Sequence, residues 1–289
     1  MAFPRVQLVV TADDFGYCPR RDEGIVEAFL AGTVTSVSLL VNGTAAESAA
    51  ELARRHSIPT GLHANLSEGR PVGPARHNAS SLLSPEGFFL GKMGFREALA
   101  AGDVALPQVR EELEAQLSRF RELLGRSPTH VDGHQHVHVL PGVCQVFAEA
   151  LQAYGVRFTR LPAERGVGSC AWLEAPARAF ACTVERDARA AIGPFSRHGL
   201  RFKTAMSVTK FSIHFLMFLE PALSVTLQCS ESFAEFCSAG ILPSLQMENQ
   251  CDLGHTGGEG SYSGSIFPYT LGIALGIWSV LSVFPGLLS

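Results

Sequence analysis

The feature that most constrains this chain is residues 7–16, QLVVTADDFG. Leu8-Val9-Val10 is apolar, rich in β-branched residues and too short for a helix, so it reads as a buried strand. The run stops at two adjacent carboxylates, Asp13 and Asp14, followed by Phe15-Gly16. Neighbouring strand residues point to opposite faces. Both acids therefore reach one point only where the strand ends and the chain turns, which Gly16 permits. Acids at the C-terminal end of an early buried strand suit a site at the top of a β/α sheet or barrel. The competing reading is a helix cap, since Asp is a good N-cap and a helical pattern opens near Pro19.

The following segments alternate between two periods. Residues 21–31 place Ile25, Val26, Phe29 and Leu30 at helical spacing before Gly32. Residues 34–41 (VTSVSLLV) predict a second strand, closed by Asn42-Gly43. Residues 45–56 predict an amphipathic helix, and residues 59–66 (PTGLHANL) a third strand that delivers His63. Such an order implies parallel strands joined by helical crossovers. Residues 67–91 are rich in Gly, Pro and Ser and predict a long loop, either a substrate loop or a surface excursion. In residues 106–124, Val109, Leu113, Leu117, Phe120 and Leu124 form an apolar stripe that Gly125 ends, with the charged residues as a solvated face. Residues 129–140 predict a fourth strand region, 144–154 a helix, 156–161 a fifth strand, and 166–191 a loop followed by Ala-rich helical sequence.

Residues 130–138, HVDGHQHVH, hold four of the ten histidines. On a strand, His134, His136 and His138 share a face. Imidazoles with nearby carboxylates are the usual ligands of catalytic divalent metals. A single His is more often a satisfied core or surface residue, but four within nine residues at a strand end point to a site. Asp13-Asp14, His63 and the histidines from His134 to His138 then lie on successive strand ends and converge on one centre. Two adjacent acids divide the labour there: one holds the ion and the other takes a proton from water.

TADDFG (11–16), GIVEAF and TVTSVSLLVNG (24–43), GLHANL (61–66) and THVDGHQHVH (129–138) together resemble the YdjC-like carbohydrate deacetylases, a family that includes chito-oligosaccharide deacetylases. The resemblance covers residues 6–201. It implies a distorted (β/α) barrel of the glycoside hydrolase/deacetylase type, incomplete here, and removal of acetyl groups from N-acetylated sugars. It also implies a magnesium-type ion or another divalent metal such as zinc. By the same resemblance Asp13 is the general base, Asp14 a metal-side or base-supporting carboxylate, and His63 and His134 the metal-binding pair. His136 and His138 would donate to Asp132 or shape the pocket, and Arg160 would lower the pKa of Asp13. A surface ion pair is the other reading of Arg160.

The family pattern includes a late His-Pro-Gly motif, which is absent from this chain. All arginines lie in residues 1–201, while residues 202–289 carry Lys203, Lys210 and six acids, with no charge after Glu259. This break divides a deacetylase region, 1–201, from a divergent tail, 202–289, expected to be poorly ordered. An alternative or read-through C-terminus would leave open sheet edges and impair turnover and solubility. Residues 266–289 have the length of a marginal membrane span, although Pro268, Pro285 and the lack of flanking Lys or Arg weaken that reading. A net charge of -4 gives no nucleic-acid footprint. Seven scattered cysteines without CxxC, among them Cys18, Cys144, Cys170 and Cys182, suggest reduced thiols. The N-terminus has no secretory layout, so a cytoplasmic location is expected. Self-association is left open. Two other functions compete with deacetylation: a non-catalytic sugar- or metal-binding scaffold, and a phosphoesterase, for which no phosphate-cradling Gly loop is evident.

Overall fold

The structure is a computed structural model that describes residues 6–73, 80–164, 166–170, 173–207 and 279–285. Six parallel strands follow one another around a curled sheet: β1 (Val6–Phe15), β2 (Ser36–Leu39), β3 (Thr60–Ala64), β4 (Val131–Gly133), β5 (Phe158–Leu161) and β6 (Arg201–Ser207). A seventh strand, β7 (Ser279–Pro285), runs antiparallel to both β1 and β6 and closes the ring. The parallel series thus stops at six strands. The open edges expected from the C-terminal break are not found among the described strands, because β7 pairs with the two strands that would carry them.

Helices fill the connections: α1 (Pro19–Leu30), α2 (Ala46–Arg55), α3 (Gly91–Ala101), α4 (Leu106–Leu124), α5 (Val143–Ala153) and α6 (Ala175–Arg197). On α4 the stripe Val109, Leu113, Leu117, Phe120 and Leu124 is buried, and Gly125 ends the helix at φ 66°. Each such Leu or Phe contributes roughly 1.5–3 kcal/mol by burial. The polar side of α4 is not all solvated, contrary to expectation. Glu112 and Gln116 are buried. Glu112 accepts from the amides of Val72 and Gly73 at 3.0 and 2.8 Å, and Gln116 exchanges bonds with the backbone of Asn65. These bonds satisfy the backbone of the long loop's root, which could not otherwise be buried. Helix α3 was not anticipated; its buried Phe95 gave too short an apolar pattern.

The described strands belong to one unit, residues 1–210 and 277–289; the second unit, 211–276, lies outside the described residues. So does the proposed membrane-span segment, apart from the seven residues of β7. Among the described residues no helix is long and apolar enough to cross a membrane. Among the described residues Cys18, Cys144, Cys170 and Cys182 form no disulfide.

Asp22 of α1 anchors the turn after the two acids: its Oδ1 accepts from the Gly16 amide at 2.7 Å. Its Oδ2 is buried without a partner, and burial pushes the carboxyl up to about 7 from 3.8. At this group the native state therefore binds more protons than the unfolded chain across that window, so its contribution to stability falls as pH rises from about 4 to about 7, by at most ~1.4 kcal/mol per pH unit. Asp22→Asn keeps the acceptor for Gly16 and should flatten this decline in urea unfolding measured against pH. Parallel pH profiles for the two proteins would contradict it.

Candidate metal centre at the strand ends

The two acids of β1 face one site because the strand is irregular at the second of them. Asp14 has φ 60°, a left-handed conformation that Asp tolerates better than most residues. The pairing of β1 with β2 slips at the same place, between Ala12 and Phe15. The irregularity thus lies within β1, before its last residue Phe15, and Gly16 at φ 89° follows the strand end.

Arg160, on β5, is buried between two carboxylates. Its two terminal nitrogens donate to Oδ2 and Oδ1 of Asp13 at 2.6 Å each, and one also lies 2.6 Å from Asp132 Oδ2. Asp132, on β4, accepts in addition from Ser38 Oγ at 2.9 Å and pairs with His63 Nδ1 at 2.6 Å. Burial works against ionisation of Asp132, but Arg160 and His63 outweigh it and hold the carboxyl well below the usual range. An ionised carboxylate accepts only, so His63 Nδ1 is the donor to Asp132. The other ring nitrogen, Nε2, faces Asp14 Oδ1 at 3.5 Å. For Asp13 burial wins: Arg160 pulls the pKa down, as expected, yet the net shift is upward.

His134 follows β4 directly. Its Nδ1 lies 3.0 Å from Asp14 Oδ1, and its Nε2 lies 2.8 Å from Glu68 Oε2. Burial alone would lower this imidazole, but hydrogen bonds and charge from Asp14 and Glu68 push it up to about 9. Asp14 in turn is held low: burial raises it, and His134, His63 and Arg21 more than offset that. The position between Asp14, His63 and His134 thus favours a positive charge. A proton on His134 supplies it here, and a divalent cation would satisfy the same atoms. One donor atom from each of the three residues lies within 4.8 Å of the others, and all three residues are buried. The donor set fits a cation held by two imidazoles and one carboxylate.

The three histidines after Asp132 do not share a face. Strand β4 ends at Gly133, and residues His134–Val139 form a tight 3-10 segment with Gln135 and His136 at φ 52° and 61°. A Cβ at Gly133 would sit 2.5 Å from His138 Nδ1, so only glycine allows this fold-back. His138 donates to the Arg160 carbonyl at 3.0 Å and stacks on Phe195. Burial lowers its pKa to about 4, so it is a neutral support for the strand that carries Arg160. His136 turns to a cavity of about 370 Å³ shared with Lys92, Glu164 and Phe180. The bonds expected from His136 and His138 to Asp132 are made instead by His63, Ser38 and Arg160. Glu68 escaped the sequence reading because it lies on an irregular loop, where no periodicity marks an inward side chain.

A cluster of this kind, at the C-terminal ends of parallel strands in a β/α barrel, defines a protein with a buried candidate cation site. A family profile described as "YdjC-like protein" matches residues 7–229, and the chain belongs to that family. Over 205 residues it is 98% identical to a carbohydrate deacetylase of Mus musculus and 89% identical to one of Homo sapiens, in each case over 71% of this chain. Those matches cover 66% and 64% of the two relatives, so the chain spans just under two-thirds of their length. A chitooligosaccharide deacetylase of Serratia marcescens is 40% identical over 161 residues, 55% of this chain and 61% of that protein.

Removing the Arg160 guanidinium leaves Asp13 and Asp132 buried without their shared counter-charge. Arg160→Met should cost about 3–5 kcal/mol in guanidinium unfolding, and Arg160→Lys, which lacks the planar fork, should fall between. An unchanged midpoint for Arg160→Met would contradict the assignment.

Proposed function

We propose that this chain is a metal-dependent hydrolase that removes the acetyl group from an N-acetylated carbohydrate of the chito-oligosaccharide type. The observation that carries the reading is the donor set Asp14, His63 and His134, with Asp13 beside it: Asp13 offers an oxygen within 4.8 Å of a His63 donor atom. Relatives that carry the names carbohydrate deacetylase and chitooligosaccharide deacetylase support the substrate class. The reading assigns the chemistry to residues 1–201 and none to 202–289.

A divalent ion bound there supplies polarisation of the amide carbonyl and eases deprotonation of the attacking water. Two imidazoles among three donors favour a zinc-like ion over magnesium. Asp13 accepts the proton, and its raised pKa brings it nearer to neutral pH than an ordinary carboxylate, which suits a base. Arg160 fixes the plane of Asp13 with two bonds, and Asp132 fixes the ring of His63. The cavity beside His136 lies at the small end of the ~300–1,000 Å³ typical of ligand pockets; its lining includes Phe180, whose ring carries Lys92 at 3.6 Å, and none of the three donor residues. Without a His-Pro-Gly motif the leaving amine lacks that motif's proton donor, so turnover should be lower than in a relative that has it.

Acetate release from diacetylchitobiose tests this. Chelator should abolish it and added zinc or magnesium restore it. Asp13→Asn should lower it by at least about 10²-fold while leaving ion binding intact. Release that survives the chelator would contradict the reading. Ion-dependent sugar binding without any acetate release would favour the binding-scaffold alternative instead.

A further inference from the structure

We propose that Glu68 is the positioning residue for the second imidazole of the ion site, fixing His134 so that Nδ1 and not Nε2 faces Asp14. The inference rests on the ion-centred reading above and extends it to a residue outside the donor set.

Glu68 is built into place before its side chain makes any bond. The Asn65 side-chain oxygen accepts from the amides of Ser67 and Glu68 at 3.0 Å each. The Asn65 and Asn42 amide groups donate to the Glu68 carbonyl at 2.8 and 3.1 Å. The carboxylate is then engaged at both oxygens: Oε1 accepts from the Tyr17 hydroxyl at 3.1 Å, and Oε2 from His134 Nε2 at 2.8 Å and Gln135 Nε2 at 3.2 Å. Gln135 is itself oriented by Ser67, whose hydroxyl donates to it at 2.9 Å.

The contacts close into a ring. Arg21 lies 4.3 Å over the Tyr17 ring and donates to Asp14 Oδ2 at 3.0 Å, which returns the circuit to the carboxylate facing His134. Each imidazole of the site therefore has its own carboxylate behind it. Asp132 backs His63 from a buried strand, whereas Glu68 backs His134 from the loop after β3, with its side chain 37% exposed. A carboxylate on the far nitrogen sets the tautomer and ring orientation of an ion-binding histidine, and losing it typically weakens affinity about 10–100-fold. The half-exposed position also makes Glu68 replaceable without opening the core.

The test is Co2+ titration of the full chain by calorimetry and visible absorption, comparing wild type with Glu68→Ala, Glu68→Gln, Tyr17→Phe and His63→Ala. Glu68→Ala should weaken affinity about 10–100-fold. Glu68→Gln keeps an oxygen for the Nε2 proton and should lose less, Tyr17→Phe less again. The visible spectrum of the Co2+-loaded Glu68→Ala protein should also change, reporting a reoriented His134, which a merely structural role would leave as in wild type. Wild-type affinity in Glu68→Ala, with His63→Ala deficient, overturns this inference alone. Equal affinity in wild type and His63→Ala overturns the ion-centred reading and this inference together.

Discussion

Arg160 sets one positive charge between two buried carboxylates, and the site is organised around that arrangement. Asp13 comes from β1, Asp132 from β4 and Arg160 from β5. Asp132 reaches on to Ser38 of β2 and His63 of β3. Five of the six parallel strands therefore meet in one hydrogen-bonded cluster at their C-terminal ends. Buried charges of this kind are costly unless paired and fully bonded. Their shared partners make the cost tolerable only in one arrangement of the strands, so the same groups that suit chemistry also specify register.

The cluster has two electrostatic halves. Around Arg160 the positive charge is permanent, and it keeps Asp132 ionised as the acceptor for His63 Nδ1. Around Asp14 the positive charge is exchangeable, because His134 holds a proton only by virtue of the carboxylates on either side. In the proposed function, exchange of that proton for a divalent cation is the step that turns the cluster into a candidate catalyst. Asp13 stands at the boundary, bonded to the permanent charge and close to the exchangeable one.

Much of this was legible in the sequence, for physical reasons that differ by segment. Apolar runs ending in Asp13-Asp14 and His63 mark buried strands whose last residues emerge at the rim, and period alone locates them. The stripe on α4 is legible for the same reason. Residues 134–138 were misread as strand because a period of two fits HQHVH; the left-handed backbone at Gln135 and His136 leaves no compositional trace. Glu112 reads as solvated, since a carboxylate on a helix usually is. What buries it is the need of two loop amides for an acceptor, a tertiary demand that no local pattern carries. Glu68 was missed for a related reason: its neighbours in space are 66 residues and 51 residues away in the chain. Closure by β7 involves residues 279–285, in a region that composition marked as foreign to the rest.

The central claim is that Asp14, His63 and His134 share one cation. A crystal of the full chain grown with Mn2+, with diffraction collected at an energy where manganese scatters anomalously, tests it most directly. The account predicts one strong anomalous peak in contact with Asp14 Oδ1, His63 Nε2 and His134 Nδ1, with Glu68 still bonded to the far side of His134. A well-ordered site with no peak there, or a peak held by other residues, would contradict it.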